Sequence, residues 1–530
     1  MEKIDIKDVS HQLLGVNLRK HKYSDHEQRD TNKLRPLCRY LFQTNSLWKK
    51  IKDHKYIVLI SLFFGVIYSL ISLVNHYYFR TYALDLGVYT NALYDYIRFQ
   101  SNDSCVFKNV GENLLADHFD LYLIFFSPLS LLFGTYTLLI VQIIAVLYGG
   151  IGVYTFFKKI KKNIPVAFFA TIYFYVFFGV FAAISFDYHS NVVAAALIPW
   201  LFYSVARRNY LVSSIFLILI IVSKENISLW LFFICVGLAI EHRKDIYLRN
   251  YLIVSSIFSI VSFIIITSVL MPLISNAGSY AHFHYSYLGN NFTDAFIHLI
   301  SHPIDSVKVL FTNHTNDTHG DFVKMELHVL LVTSGILFLI KKPQYILMLL
   351  PIYFQKLFHD NYSMWGIGGQ YSIEFAPIMT IGIFLTISEL NSKRLIKYLS
   401  LFVLLLATAS TIKTMVNTVY YTDKIRIRFY EKSHYQNSYD VSNVHKQLSK
   451  IPKHVVVSSQ SPFLPHLSLR DNIYQFPIIK DAEYIVYSDK ENPYPMTQDE
   501  FESAINELEH SKDWEVFYKK DITILKKISL

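Results

Sequence analysis

Apolar runs long enough to cross a bilayer recur along this chain of 530 residues. They lie at roughly 56–78, 136–157, 164–184, 191–206, 210–222, 226–240, 249–272, 326–340, 343–358, 371–389 and 396–417. A helix covers the hydrocarbon core with about 20 apolar residues. In lipid every backbone polar group needs an internal partner, so such runs dictate helices. The run at 210–222 is short for a crossing. The segment 121–133 is shorter still and is interrupted by Ser127-Pro128, so it reads as a re-entrant or interfacial helix. The expected fold is an all-α polytopic transmembrane helical bundle of about 11 spans, with a small C-terminal α/β domain.

Charge then orients the bundle. Only 17% of residues are charged and 52% are hydrophobic, against about a quarter charged in soluble proteins. The basic clusters are Lys49, Lys50 and Lys52, then 158–162, Arg207-Arg208, His242-Arg243-Lys244, Lys341-Lys342 and Lys393-Arg394. With eleven spans all six fall on one side, which the positive-inside rule makes cytoplasmic. One missed span would put later clusters on the wrong face. The net charge of +9 is therefore a topology signal, and no nucleic acid is expected as a partner. No cleavable signal peptide is expected either, because the first apolar run is long enough to remain as a span. Cys38, Cys105 and Cys235 show neither disulfide nor zinc spacing.

The expected organisation is a basic cytoplasmic tail over 1–55, a transmembrane module over 56–417 and a soluble exoplasmic α/β domain over 418–530. Outer loops fall at about 79–135 and 273–325. In the last part, Val441, Val444 and Leu448 have helical spacing. The segments Val455-Val456-Val457 and Tyr484-Ile485-Val486-Tyr487 read as strands. Thr497 and Glu500 have capping-box spacing, and Trp514 to Leu525 reads as a hairpin turning at Lys519-Lys520-Asp521.

Ionisable residues beside spans are costly and mark function. All of the following fall on the outer face. Asp85 follows the first span in Asp-Leu-Gly-Val-Tyr, where it also suits a helix cap. Asp117-His118-Phe119-Asp120 leads into the interfacial helix, and His118 reads equally as an anion-positioning group or a solvated histidine. Phe186-Asp187-Tyr188-His189-Ser190 is a tight turn whose Asp and His suit metal ligation or proton transfer, or local turn bonding. Ser223-Lys224-Glu225-Asn226 puts a charge pair in an apolar stretch. Lys224 reads as an anion binder oriented by Glu225, or as half of a self-satisfied pair. His359, Asp360, Gln370 and Tyr371 form a looser group. The stretch His282–His284 lacks an acidic partner in sequence, which argues against zinc. Walker, dinucleotide, HExxH and GxSxG motifs are absent.

These motifs in this order resemble bacterial membrane proteins of domain-of-unknown-function family 2079. The resemblance covers roughly 56–480 and includes Pro465 to Arg470 and Tyr474 to Pro477. That family is similar to the GT-C superfamily of polyprenyl-phosphate-dependent glycosyltransferases. The resemblance implies a catalytic acidic residue at Asp85 and a second acidic position at Asp187. The paired acidic motif of that superfamily is a single Asp here, flanked by Leu84 and Leu86. The expected activity is transfer of a sugar from a polyprenyl-phosphate donor to an envelope acceptor, with inversion. Asp85 is the expected base, and Lys224, His118 and His189 the donor phosphate-binding groups. Asp187 and Glu225 are supporting or metal-holding candidates, with a divalent cation (Mg or Mn) as candidate cofactor. The expected site is the bacterial inner membrane. A transporter or lipid flippase, or a non-catalytic scaffold or sensor, are the alternatives.

Overall fold

A computed structural model describes residues 55–420 and 424–528. The N-terminal tail, with Cys38, lies outside the described residues. Residues 60–530 form one compact unit, which the following concerns.

Every one of the eleven apolar runs folds as helix, including Lys55–Tyr77, Thr137–Lys159, Ser190–Ala206, Tyr210–Ile221, Glu225–Glu241, Phe375–Ser388 and Lys393–Val416. Among the described residues, four helical stretches are long and apolar enough to cross a membrane: Lys55–Tyr77, Tyr122–Lys159, Ile246–Ile274 and Lys393–Val416. A fifth is the pair Ile164–Val176 and Phe178–Ile184, bent by 46°. The remaining runs make shorter helices, as at Ser190–Ala206 and Tyr210–Ile221, so the eleven-span count goes beyond what helix length alone yields. The segment expected as interfacial is a chain of single turns, Tyr122–Phe126, Ser127–Leu129 and Ser130–Phe133. It joins the next helix through Gly134, whose φ of 56° a side chain would resist.

The basic turns meet one another at one end of the bundle. Arg208 bonds Asp245 at 2.5 Å, and Lys342 lies 2.9 Å from Glu389 and 3.8 Å from Glu241. Helices leaving this end carry side-chain caps that satisfy their first N–H groups: Asn163 on Val166, Asn209 on Val212, Asp245 on Leu248 and Ser392 on Leu395. The motif-bearing turns differ. Ser190–Ala206 begins at His189 and Glu225–Glu241 begins at Lys224, and neither residue caps its helix with its side chain. Both side chains are turned elsewhere. Close packing elsewhere in the bundle relies on small residues. A Cβ on Gly149 would lie 2.9 Å from the Ala196 carbonyl oxygen, so Thr137–Lys159 and Ser190–Ala206 approach only because the glycine is bare.

The C-terminal part holds a five-stranded sheet: β1 (Val457–Ser459), β2 (Ile473–Gln475), β3 (Tyr484–Tyr487), β4 (Trp514–Lys519) and β5 (Thr523–Lys527). The order is β2-β1-β3-β5-β4, with β1 parallel to β2 and β3, and β5 antiparallel to β3 and β4. The helix at Val441–Leu448, the Thr497–Glu500 capping box and the final hairpin form as the sequence predicts. The first strand begins at Val457 rather than Val455, and β2 was not read from the sequence. Alternation sorts β3 into two faces. Ile485 and Tyr487 pack with Phe501 and Leu508 of the helix Gln498–His510. Tyr484 and Val486 join a core that also contains Phe79, Ala83, Leu86, Val88 and Leu93 of the first long loop. The sheet and that loop thus share one hydrophobic core. Gly87 makes the closest approach, since a Cβ there would lie 2.5 Å from Leu464 Cδ2.

Candidate functional site

Asp85 sits in a single π-helical turn, Ala83–Gly87, just after the first helix. The turn is held from three sides. Ser461 Oγ accepts the Ala83 N–H at 3.1 Å, and Gly87 lies under the Leu464–Leu467 turn. The third support is Asp187. It is fully buried; its Oδ2 accepts the Tyr82 N–H at 2.8 Å and its Oδ1 accepts from Arg426 Nη2 at 2.7 Å. Arg426 also lies over the Tyr82 and Phe186 rings.

Asp85 is the polar residue of this turn and is left partly open, with its side chain 29% exposed beside the exposed Leu84. Its Oδ1 is 3.2 Å from His189 Nε2. His189 is fixed in turn, its N–H donating to Gln142 Oε1 at 3.0 Å and its Nδ1 lying 3.3 Å from the Asp187 carbonyl oxygen. Burial pushes the Asp85 carboxyl up, but His189, with Lys224 beyond it, outweighs this and holds it below the usual range.

A second chain of contacts faces it. Glu225 accepts from His118 Nδ1 at 3.2 Å and from the Phe119 N–H at 3.2 Å. His118 Nε2 lies 3.2 Å from Lys224 Nζ. Burial and the lysine lower the His118 pKa, so the neutral ring donates to Glu225 and accepts from Lys224. His282 stacks on His118 with centroids 4.3 Å apart and bonds Asp117 through its Nε2, 2.6 Å from the carbonyl oxygen and 3.4 Å from Oδ1. The absence of an acidic partner for the His282–His284 stretch is thereby corrected: the partner is Asp117, far away in sequence, where no local pattern could reveal it. Burial pulls His282 down, and Asp117 overrides it and holds it above the ordinary value.

One pocket of about 330 Å³ collects these groups. Of the residues expected at the site, Asp85, His118, His189, Lys224, Glu225, His359, Gln370 and Tyr371 line it. Asp187 and Asp360 do not. Asp187 stands behind Asp85 as a support. Asp360 accepts from the Ser286 N–H at 2.9 Å and its hydroxyl at 2.7 Å, tying the loop near 286 to the turn near 360. Burial and the neighbouring His284 pull His359 down to about 4. The sequence reading missed Arg426. Its signal was there, because Lys424, Arg426 and Arg428 form a basic cluster soon after the last apolar run.

The residues present do not favour a cation. Asp187, a metal-holding candidate in sequence, has an arginine against one oxygen and an N–H against the other. Both Glu225 oxygens are likewise taken. Asp117, His118 and His282 bring ligand atoms within 4.8 Å of one another. Their two rings stack only 20° from parallel, which keeps their nitrogens from converging on one point, and the Lys224 ammonium stands at His118 Nε2. That ammonium and the two uncapped helix starts at His189 and Lys224 suit an anion instead.

Asp120 lies just behind the pocket wall, where burial pushes its carboxyl up to about 7. The folded state therefore holds a proton that the unfolded chain releases near pH 4. This group's stabilising contribution is full below about pH 4 and is lost as pH rises through about 7. Asp120→Asn keeps an acceptor for the Tyr122 N–H, 2.9 Å away, and removes the titration. Its thermal midpoint is expected to gain on wild type more at about pH 8.5 than at about pH 5.5. Equal shifts at both values would refute the assignment.

The pattern of the family described as "Predicted membrane protein (DUF2079)" matches residues 75–525, and the chain belongs to that family. Among solved structures, it is similar to the Archaeoglobus fulgidus oligosaccharyltransferase tethered with an acceptor peptide containing the NVT sequon via a disulfide bond. The identity is 10%, over 83% of this chain and 70% of that chain, with a TM-score of 0.39. No curated protein matches by sequence.

Proposed function

We propose that the protein transfers a sugar from a polyprenyl-phosphate donor to an envelope acceptor at the exoplasmic face of the bacterial inner membrane. The observation that carries this reading is the convergence of Asp85, His118, His189 and Lys224, from four separate segments, on one pocket. Eleven crossings put the N terminus in the cytoplasm and the sheet and pocket outside. The donor's hydrocarbon tail stays in lipid while its headgroup enters the pocket.

Chemistry follows from the charges. An acceptor hydroxyl bonds to the Asp85 carboxylate and attacks the anomeric carbon. Its proton passes to Asp85 as the new C–O bond forms. The bond to phosphate breaks, and the phosphate leaves with the electron pair. Asp85 is held ionised by His189, so it takes the proton only in the transition state, when the hydroxyl has become acidic. Phosphate is already a stable anion and needs no protonation. Lys224, held by His118, and the start of the helix Ser190–Ala206 balance its charge. Direct displacement inverts the anomeric centre. An acidic residue just after the first span, in a long outer loop, resembles the architecture of polyprenyl-phosphate glycosyltransferases and supports the same reading.

The test uses purified full-length protein in nanodiscs, a labelled decaprenyl-phosphoryl hexose and an envelope extract. A labelled covalent product is expected. Lys224→Ala is expected to raise the donor KM by about 10- to 100-fold, the worth of a charge-assisted bond. Uptake of the lipid across proteoliposomes with no covalent product would replace this reading with the transporter.

A further inference from the structure

A second, narrower cavity of about 80 Å³ adjoins the pocket. At about 30 Å³ per water its volume holds about three waters, so a ring seated in it also reaches into the adjoining pocket. The two spaces share Asn226, Tyr285, Gln355, Met364 and Tyr371 as walls.

Two buried oxygens on the inner cavity's wall have no hydrogen-bond partner, Asn226 Oδ1 and Glu374 Oε2, and a third, Gln370 Oε1, stands on the wall of the adjoining wider pocket. Gln370 and Glu374 are only 3% and 7% exposed. Buried acceptors left without donors are costly, and three together call for explanation. Their other polar atoms are in use. Asn226 Nδ2 donates to Gln355 Oε1 at 3.2 Å, and Glu374 Oε1 accepts from Asn191 Nδ2 at 2.6 Å. What completes the set is therefore a ligand rich in donors.

The remaining walls narrow the class. Trp230 and Tyr285 spend their own donors on the Met348 and Gln355 carbonyls, which leaves them as apolar surface. Lys356 lines the same cavity, its ammonium tied to the Met364 carbonyl at 2.8 Å and to that of Gly366. The three acceptors repel a phosphate. A neutral ring with hydroxyl edges and C–H faces fits both constraints, since hydroxyls donate to the acceptors and ring C–H groups lie on aromatic walls.

We propose that this inner cavity is the monosaccharide subsite of the donor, with sugar hydroxyls donating to Asn226 and Glu374 within it and to Gln370 on the adjoining wall, while Lys224 holds the phosphate in the wider pocket. The inference rests on the donor reading above. One turn then divides the donor, with Lys224 serving its charged half and Asn226 its neutral half.

The experiment compares binding of decaprenyl phosphate and decaprenyl-phosphoryl glucose to the full chain in nanodiscs. Wild type is expected to bind the glucosyl lipid more tightly. Asn226→Ala, Gln370→Ala and Glu374→Ala are each expected to lose about tenfold for the glucosyl lipid and less than about twofold for the bare phosphate, as removal of a hydroxyl's acceptor implies. Lys224→Ala is expected to weaken both lipids alike. The bare lipid reports on folding of each variant. Equal affinity of wild type for the two lipids, or no selective loss in any of the three variants, would overturn the sugar subsite and leave the phosphate site standing. Failure of wild type to bind either lipid would overturn both.

Discussion

Asp85→Asn is expected to fold, insert and bind the donor, and to lose transfer by about 10²- to 10⁴-fold, the usual worth of a positioned general base. The side chain keeps its shape, and the amide oxygen can still accept from His189 Nε2, 3.2 Å away in the native protein. What disappears is a full negative charge facing the reacting carbon and a site for the hydroxyl proton. The loss is expected in kcat more than in KM, because in the proposed arrangement Lys224, not Asp85, holds the donor phosphate. Single-turnover assays with labelled decaprenyl-phosphoryl hexose measure this directly. A purified, folded Asp85→Asn protein with wild-type transfer would remove Asp85 from the mechanism.

The largest effect on stability is expected from Arg426→Met. Arg426 and Asp187 are 4% and 0% exposed by side chain and 2.7 Å apart. Removing the cation leaves a carboxylate buried with only the Tyr82 N–H as partner. Breaking such a pair costs about 3–5 kcal/mol, mainly through the charge left behind. The double change Asp187→Asn with Arg426→Met is expected to recover most of that loss, since it strands no charge. Thermal unfolding in detergent of the two single variants and the double gives the coupling. A double variant no more stable than Arg426→Met alone would show that Arg426 acts through its ring contacts with Tyr82 and Phe186 instead.

Local physics made much of this structure readable in advance. Apolar run length predicted every long helix, because lipid leaves the backbone no other choice. The Thr497–Glu500 capping box and the Trp514–Lys527 hairpin were legible because their determinants lie within a few residues. The same logic located Asp85, His118, His189 and Lys224, each an ionisable group where burial makes it expensive. Long-range pairing was not legible. Nothing near His282 announces Asp117, and nothing near Asp187 announces Arg426. Three-residue strands such as β2 carry too little pattern to be seen before their neighbours are known. The orphan oxygens of Gln370 and Glu374 were likewise invisible, because lacking a partner is a property of a packed environment.

The shared core of the first loop and the C-terminal sheet sets an order of events during synthesis. Asp85 leaves the ribosome early, while β1, β3 and β5, whose side chains fix its surroundings, come from the last 75 residues or so. Until those residues emerge, the turn carrying Asp85 has no Leu464 above it. A nascent or truncated chain therefore carries the acid without the mould that gives it direction.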